Sequence, residues 1–146
     1  MGANFLGKAD FRFAKFKKKA DFILDTFKKK ADFSYTVFIG KVDFQYTKFI
    51  EKTKFERTTF TEHTSFKEVK ILKKASLNFD HITTHDYIEI MPSVLNGEII
   101  ITNLILESDK HSLVLDLKSL SSPLALYPLF ELFHSSSTHL TCFLYF

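Results

Sequence analysis

Basic side chains at a fixed spacing are the part of this sequence with the clearest potential for chemistry. A basic residue stands at every eleventh position of one series, which runs Lys8, Lys19, Lys30, Lys41, Lys52, His63, Lys74 and His85. Four more lysines lie beside the series near the N-terminus, at Lys17, Lys18, Lys28 and Lys29. Regularly spaced ammonium groups bind the phosphates of nucleic acids or of an acidic membrane. The alternative is structural, because solvated lysine ridges also keep an edge-rich protein soluble.

Residue types suited to catalysis or metal binding are scarce. His63 and His85, with Glu62 adjacent, have too few further strong ligands for a metal site. Cys142 is the only cysteine, which excludes a disulfide framework and a cysteine zinc cluster, and we expect it to be a small buried residue. The sequence has no GxGxxG, P-loop, nucleophile-elbow or HExxH motif. It therefore predicts no catalytic residue, metal or cofactor, and favours a protein that is not an enzyme.

The composition is that of one soluble domain with an uneven charge distribution. Apolar residues make up 45% and charged residues 25% of the 146 positions, and the net charge is +3. Residues 1–54 carry a net +7, residues 55–90 a net −1 and residues 91–146 a net −3. No apolar signal segment opens the sequence, and the uncharged run from Ser119 to Phe130 is too short to span a bilayer. We therefore expect a cytoplasmic protein.

Phenylalanine provides the framework that positions these lysines. Its steps alternate between six and five residues along Phe5, 11, 16, 22, 27, 33, 38, 44, 49, 55, 60 and 66. The same rhythm continues onto apolar positions at Ile71, Leu77, Ile82 and Ile88. On an α-helix a five-residue step would place successive rings about 140° apart, so no apolar face would form. A chain that turns a corner between successive rings can point all of them inward.

The residue two positions before each ring supports a strand at every step, because side chains two apart on a strand face the same way. These residues are mostly small or β-branched, as a crowded interior requires: Ala3, Ala9, Ala14, Ala20, Ala31, Thr36, Val42, Thr47, Thr53, Thr58, Thr64, Val69 and Ala75. Asp25, Asp80 and Asp86 are exceptions. We expect those carboxylates to bond backbone groups near a corner or to lie in a wet part of the coil.

The repeated triplet resembles the motif of the pentapeptide-repeat family. Ala-Asp-Phe occurs at 9–11, 20–22 and 31–33, and Ala-Asn-Phe at 3–5. The resemblance covers residues 3–90, with a sixth residue added to every second unit. It implies an all-β, right-handed, four-sided β-helix of about four coils, with 22 residues per coil. At about 4.8 Å per coil, the rod would be roughly 20 Å long.

This arrangement predicts four columns of stacked side chains and two kinds of corner. The columns should end at Leu77 above Phe55, at Ile82 above Phe60, at Ile88 above Phe66 and at Ile71 above Phe49. The extra residue should bulge at the basic corners, where Lys8, Lys30, Lys52 and Lys74 share one edge and Lys19, Lys41, His63 and His85 the opposite one, with the two histidines stacked about 5 Å apart. The other corners should expose Phe13, Leu24, Tyr35, Tyr46, Arg57, Glu68, Phe79 and Ile90 to about half.

The candidate interaction surface combines the basic corners with the neighbouring tyrosines. It consists of Lys8, Lys17, Lys18, Lys19, Lys28, Lys29, Lys30, Lys41, Lys52, Tyr35 and Tyr46. Asp10, Asp21, Asp32 and Asp43 lie beside these lysines and reduce the local positive charge.

The C-terminal third departs from the rhythm. We expect the β-helix to occupy 3–91, a β-rich cap to occupy 92–118, and an irregular apolar tail, packed on the cap or disordered, to occupy 119–146. Strands are predicted over Glu98 to Leu106 and over Ser112 to Leu117. An uncovered end of such a rod would invite end-to-end pairing of two copies.

Three functional hypotheses follow. The first is a non-enzymatic structural or protein-interaction module that presents side chains on rigid faces to another protein. The second is a binder of nucleic acid, other anionic polymers or an anionic membrane surface through its lysine corners. The third, suggested by the family resemblance alone, is a mimic of DNA that binds topoisomerases; such mimics need an acidic rod, and the +7 of residues 1–54 argues against it.

Overall fold

The computed structural model of the chain describes residues 2–107, 113–116 and 143–145. These residues form 21 short strands and no helix. Every pair of neighbouring strands is parallel, and successive strands of one sheet come from successive coils of the chain. The predicted all-β, four-sided β-helix is therefore confirmed.

Each side of the β-helix is one sheet. Side 1 contains β1 (Asn4–Phe5), β5 (Thr26–Phe27), β9 (Lys48–Phe49), β13 (Lys70–Ile71) and β17 (Val94–Leu95). Side 2 contains β2 (Ala9–Asp10), β6 (Ala31–Asp32), β10 (Thr53–Lys54), β14 (Ser76–Asp80) and β18 (Glu98–Thr102). Side 3 contains β3 (Lys15–Phe16), β7 (Val37–Phe38), β11 (Thr59–Phe60), β15 (Thr83–Thr84) and β19 (Ile105–Leu106). Side 4 contains β4 (Ala20–Asp21), β8 (Val42–Asp43), β12 (Thr64–Lys67), β16 (Ile88–Met91), β20 (Leu113–Asp116) and β21 (Phe143–Tyr145).

The core consists of phenylalanine columns that run along the axis. In the column of side 2, Phe11, Phe33 and Phe55 stack with ring centroids 4.7 and 5.0 Å apart and interplanar angles of 9° and 4°. Rings of neighbouring columns meet edge to face, as Phe22 and Phe33 do at 5.6 Å and 83°. Both geometries are favourable for aromatic pairs, and each buried ring contributes about 1.5–3 kcal/mol through its area alone.

The small residues that precede the rings by two positions point inward, as predicted. Ala31 and Thr53 are buried on side 2, and Thr36, Thr47 and Thr58 are fully buried after the corners. The three threonine hydroxyls donate to carbonyls of the preceding coil, at Phe11, Phe22 and Phe33, over 2.7, 2.7 and 2.8 Å. These bonds satisfy the buried hydroxyls and tie each coil to the next.

The coil is 22 residues long until a turn at residues 72–75 adds two. Cα partners on sides 1 and 2 are 22 apart, as for Phe27 with Phe49, but Thr53 pairs with Leu77, which is 24 away. The inserted turn closes through a hydrogen bond from the Ala75 N–H to the Leu72 carbonyl, at 2.8 Å. The predicted stack of Ile71 on Phe49 comes before this turn and is confirmed.

The other three predicted column ends are wrong because of these two residues. Leu77, Ile82 and Ile88 are buried, but they do not cover Phe55, Phe60 and Phe66. Those rings face Phe79, Thr84 and Ile90 instead. A shift of two preserves the side-chain alternation of a strand, so these three side chains stay inward, each now at the small-residue position two places before a ring. For the same reason Phe79 and Ile90, expected at exposed corners, are fully buried.

The three aspartates among the predicted inward positions differ in burial. Asp25 is buried and accepts a hydrogen bond from the backbone N–H of Ala3 at 2.6 Å, as expected. Asp80 lies half-buried on the outer side of β14, where it accepts hydrogen bonds from Thr102 and Asn103 of the next coil. Asp86 is exposed. The two-residue shift moves both Asp80 and Asp86 out of the inward row.

Residues 94–107 and 113–116 continue the same four sheets. β17, β18, β19 and β20 pair with β13, β14, β15 and β16, so the rod has about five coils, one more than predicted. Ile99, Ile101, Leu113 and Leu115 extend the core in place of phenylalanine. Of the predicted tail, only β21 lies within the described residues, and it pairs with β20.

Candidate interaction surfaces

Two kinds of turn alternate around the rod and carry its candidate site residues. In the regular coils up to β12, three-residue turns follow sides 1 and 3 and hold the lysines, and we call these turns and their continuations the lysine turns. Over the same coils, four-residue turns follow the two-residue strands of sides 2 and 4 and hold the exposed aromatic residues, and we call these turns and their continuations the aromatic turns. Two residues separate the buried Phe33 and Thr36 at an aromatic turn, whereas three separate the buried Phe38 and Val42 at a lysine turn. The extra residue of the repeat therefore lies at the lysines, as predicted.

The aromatic turns require an unusual backbone. Their third residues have positive φ, at 59° for Phe13, 62° for Leu24 and 59° for both Tyr35 and Tyr46. Side chains with a Cβ avoid this region at a cost of about 1–3 kcal/mol. The fold meets that cost with stacked hydrogen bonds, because the N–H of Tyr35 donates to Glu56 O of the next coil at 2.9 Å and the N–H of Phe13 to Ser34 O at 3.1 Å.

The aspartate of the repeated triplet starts the same turns. Asp32 Oδ1 accepts from the N–H of Ser34 at 2.9 Å, and Asp43 Oδ1 accepts from the N–H of Gln45 at 3.0 Å. Such side-chain caps are the reason that Asp and Asn favour turns. At Asp10, the hydrogen bond and the charge of Arg12 lower the carboxyl pKa to about 2. These carboxylates thus shape the turns as well as offsetting nearby lysines.

One aromatic turn exposes a stacked pair. Phe13 is 73% and Tyr35 is 49% exposed, and their rings stack at 5.0 Å and 16°. Arg57 occupies the same position one coil further along and is exposed. We call Phe13, Tyr35 and Arg57 the aromatic ridge. The other aromatic turn exposes Leu24 and Tyr46 to 54% and 51%.

The lysine turns stack as predicted over the first three coils. After side 1, the N–H of Ala9 donates to Lys30 O at 3.0 Å and that of Ala31 to Lys52 O at 3.2 Å. After side 3, the N–H of Ala20 donates to Lys41 O at 2.9 Å. One lysine turn therefore holds Lys8, Lys28, Lys29, Lys30 and Lys52, and the other Lys17, Lys18, Lys19 and Lys41.

The predicted site residues consequently do not form one surface. They divide among two lysine turns and two aromatic turns, on four different edges of the rod. Lys48 and Lys70 were missed, although they face outward on neighbouring strands of side 1 as Cα partners. Their 22-residue separation in the sequence was the signal that would have found them.

A comparison with known families decides the kind of repeat. The family model described as pentapeptide repeats (9 copies) matches residues 26–70. These residues are pentapeptide repeats. No curated protein and no solved structure matches the chain. The match lies within the part of the chain that runs with a regular 22-residue coil and ends just before the two-residue insertion.

The β-helix separates charge by side. Side 1 and its lysine turn, residues 4–8, 26–30, 48–52, 70–75 and 94–97, contain nine lysines and one acidic residue, Glu51. The described residues of side 4 and its aromatic turn, 20–25, 42–47, 64–69, 88–93 and 113–116, contain six acidic residues and one lysine, Lys67. Positive charge is thus concentrated on side 1 and negative charge on side 4, in addition to the change of net charge along the sequence.

A buried carboxylate lies on the outer surface of side 4. Glu89 is 3% exposed and lies 3.2 Å from His63 Nε2 and 3.1 Å from Lys67 Nζ. It also accepts a hydrogen bond from the Tyr87 hydroxyl at 3.3 Å. Burial, together with the charge of Glu89, raises the pKa of Tyr87. The cluster joins the third and fourth coils, and sequence reasoning missed it because the inserted turn sets its register.

The predicted stack of His63 on His85 is wrong. His63 stacks on Tyr87 at 5.2 Å, while His85 Nδ1 lies 3.3 Å from Glu107. The insertion places Tyr87, two residues further on, above His63. Within the described residues no group of three or more His, Cys, Asp or Glu is arranged to hold a metal ion. The described part of the chain also contains no helix of the length and apolarity that a membrane crossing requires.

The N-terminal end of the rod is open. Phe5, Phe11 and Phe16 are only partly buried against the core. A cavity of about 650 Å³ lies there between Phe5, Phe11 and the segment 21–25. The predicted end-to-end pairing of two copies remains a prediction.

Proposed function

We propose that this chain is a non-enzymatic scaffold that binds another protein through the aromatic ridge. The β-solenoid fold and the match to pentapeptide repeats support a structural or interaction protein as the general class. The finer assignment rests on one observation: Phe13 and Tyr35 stack in the open, on a hydrogen-bonded turn, with Arg57 next in line.

The composition of the ridge supports this assignment. Aromatic residues and arginine are enriched at the centres of protein interfaces, where a few of them supply most of the binding energy. The backbone beneath these side chains also has little freedom to lose on binding. Each stands on a turn fixed by hydrogen bonds to the coil beyond it, so association immobilises few backbone torsions.

The experiment has two stages. A photo-crosslinking amino acid replaces Tyr35 in the full chain, and the cross-linked protein from cells of the source organism is identified and purified. Its affinity is then measured for the native chain, for a Phe13→Ala, Tyr35→Ala variant, and for a matched Leu24→Ala, Tyr46→Ala variant. The control changes two exposed residues at equivalent positions of the other aromatic turn.

The ridge variant should bind at least tenfold more weakly, since interface hot spots cost more than about 1 kcal/mol each on truncation. The matched control should bind within about twofold of the native chain. Equal affinity of the ridge variant and the native chain would refute the proposal, as would a larger loss in the control.

The DNA-mimic hypothesis has the least support. A mimic needs an acidic surface along the rod, and among the described residues only side 4 has carboxylates with almost no basic residue beside them, while side 1 carries nine lysines. The cytoplasmic location also remains a prediction.

A further inference from the structure

Side 1 is a flat, strongly basic surface that the aromatic ridge does not include. Its five strands present Asn4, Thr26, Lys48, Lys70 and Val94 outward in one row. The lysine turn beside them adds Lys8, Lys28, Lys29, Lys30, Lys52, Lys73 and Lys74. Glu51 is the one carboxylate in this set, and it pairs with Lys29 at 3.2 Å.

The remaining ammonium groups of side 1 lack counter-charges. Among the described residues, no ion pair or side-chain hydrogen bond involves Lys28, Lys30, Lys48, Lys52 or Lys70. Some lysines elsewhere differ: Lys19 pairs with Asp21, Lys54 with Glu56 and Lys67 with Glu89. Lys15, Lys17, Lys18 and Lys41 of side 3 and its lysine turn also have no ion pair in the described part of the chain, so side 1 differs from side 3 in the number of its lysines and not in their lack of partners.

Lys48 and Lys70 are the clearest case. They are Cα partners on neighbouring parallel strands, about 4.8 Å apart. Like charges at directly opposed positions of a sheet destabilise it. An external surface of negative charge would turn this repulsion into attraction, so the pair indicates a ligand with many anionic groups.

The neighbouring side chains distinguish between kinds of anionic ligand. The row that follows the side 1 strands is Leu6, Lys28, Ile50 and Leu72, in which Leu6 is 66% exposed and Ile50 and Leu72 are half-buried. Aliphatic groups between lysines insert among lipid headgroups, whereas they have no favourable contact with a phosphodiester chain. Nucleic-acid surfaces instead use arginine and aromatic rings that stack on bases, and side 1 presents neither outward among the described residues.

The shape of side 1 agrees with a membrane ligand. Outward side chains of one sheet extend from a common surface, so Lys48 and Lys70 on two successive strands and Lys28 on the adjoining turn can reach a plane together. A bilayer is a plane on this scale, while a nucleic-acid duplex curves away from a flat sheet.

We propose that side 1 binds the surface of an anionic bilayer. Lysines 28, 48 and 70 face the phospholipid headgroups, and Leu6 and Leu72 lie against the headgroup–acyl boundary. The acidic side 4 is not part of the contact, so the axis of the rod lies parallel to the membrane and side 1 faces the headgroups. The aromatic ridge, at the turn between sides 2 and 3, stays accessible to a protein partner.

The test uses the full chain with sedimenting vesicles of pure phosphatidylcholine, or of phosphatidylcholine with 30% phosphatidylserine, in about 50 mM salt. A Lys28→Gln, Lys48→Gln, Lys70→Gln variant removes three charges from side 1. A Lys15→Gln, Lys17→Gln, Lys18→Gln variant removes three from side 3 and its lysine turn. Circular dichroism and thermal melting establish that both variants fold, and a Lys→Arg variant at 28, 48 and 70 restores the charge.

The native chain should sediment with the anionic vesicles and not with the neutral ones. Each lysine near an anionic surface contributes roughly fivefold to partitioning, so the side 1 variant should lose about 100-fold. The side 3 variant should lose less than tenfold, and the arginine variant should bind like the native chain. Raising the salt to about 500 mM should abolish binding, because the attraction is screened.

Several results would overturn the proposal. The first is that the native chain does not bind anionic vesicles at low salt. The second is that the two glutamine variants lose the same amount of vesicle binding. The third is that the chain binds duplex or single-stranded nucleic acid but not vesicles. The last result would assign side 1 to nucleic acid instead. None of these outcomes bears on the aromatic ridge, whose test measures binding to a protein partner.

Discussion

Phe79 stacks on Phe55 with ring centroids 5.0 Å apart and an interplanar angle of 9°. The two residues are 24 positions apart, whereas the rings below them, Phe33 and Phe55, are 22 apart and have the same geometry. The column therefore passes through the inserted turn without a break. The insertion is absorbed in the turn at residues 72–75, and the aromatic core continues above it.

Truncation of a ring in the middle of this column should be among the most damaging substitutions. Phe55→Ala removes a fully buried side chain that contacts Phe33, Phe60 and Phe79. We expect the free energy of unfolding to fall by about 3–5 kcal/mol. Urea denaturation measures the change. Phe13→Ala, at an exposed ring, should cost less than about 1 kcal/mol, and a similar loss at both positions would contradict the proposed core.

Two threonines on the same rod should respond oppositely to valine. Thr58 is buried and its hydroxyl donates to Phe33 O at 2.8 Å, while the buried hydroxyl of Thr53 has no hydrogen-bond partner. Thr58→Val should destabilise the fold by about 1–2 kcal/mol, because it removes a hydrogen bond to a buried carbonyl. Thr53→Val should be neutral or stabilising, because it removes an unsatisfied polar atom. Thermal melting of both variants measures the contrast, and equal effects would count against these hydrogen-bond assignments.

Gly97 should tolerate no side chain, because the inserted turn lies against it. A Cβ at Gly97 would lie 2.1 Å from Ala75 O and 2.5 Å from Leu72 O. Gly97→Ala should therefore cost about 1–3 kcal/mol through overpacking against backbone. At Gly7 a Cβ would meet no atom within 4 Å, so Gly7→Ala is the matched control. Comparable stability of the two variants, measured by denaturation, would argue against the position of residues 72–75.

Asp25 should make stability depend on pH in the opposite sense to a typical paired aspartate. Burial raises its pKa, although the N–H of Ala3 partly compensates. Its favourable contribution is therefore complete below the unfolded pKa of about 3.9 and is lost as the pH rises through the folded value. Asp25→Asn keeps an acceptor for Ala3, and it should melt higher than the native chain at pH 7 but not at pH 3.

Asp21 provides the control for that comparison. The backbone N–H of Ile23 lowers its pKa, so its contribution is present above the unfolded pKa and is lost as the pH falls through the folded one. Asp21→Asn should thus melt no higher than the native chain at pH 7. If Asp25→Asn melted lower than the native chain at pH 7, the buried position of Asp25 would be wrong.

The sequence predicts the fold well because one periodicity carries it. Every ring from Phe22 to Phe66 in the alternating series is buried, since strand alternation and a fixed coil length leave those positions one orientation. The kind of turn was harder to predict. Phe13 and Tyr35 adopt positive φ, which sequence statistics assign to glycine and asparagine, and the stacked hydrogen bonds that allow it form only in the assembled rod.

Contacts beyond residue 71 could not be derived from the periodicity. Leu77, Ile82 and Ile88 fit the predicted rhythm by residue type, and the two residues added at 72–75 leave no apolar signature. The cluster around Glu89 depends on that shift, as does the contact of His63 with Tyr87. The basic side 1 was missed in part because Lys48 and Lys70 lie on strands, whereas the sequence argument followed the turns.

The most direct measurement of the register is disulfide formation between neighbouring coils in a Cys142→Ser background. Lys54 and Asn78 are Cα partners, about 4.8 Å apart, which is within disulfide reach. Lys54 and Ser76, which would be partners if the coil stayed at 22 residues, are roughly 8 Å apart and beyond it. The structure predicts that a Lys54→Cys, Asn78→Cys pair oxidises readily and a Lys54→Cys, Ser76→Cys pair does not. The reverse result would contradict both the two-residue insertion and the stack of Phe79 on Phe55.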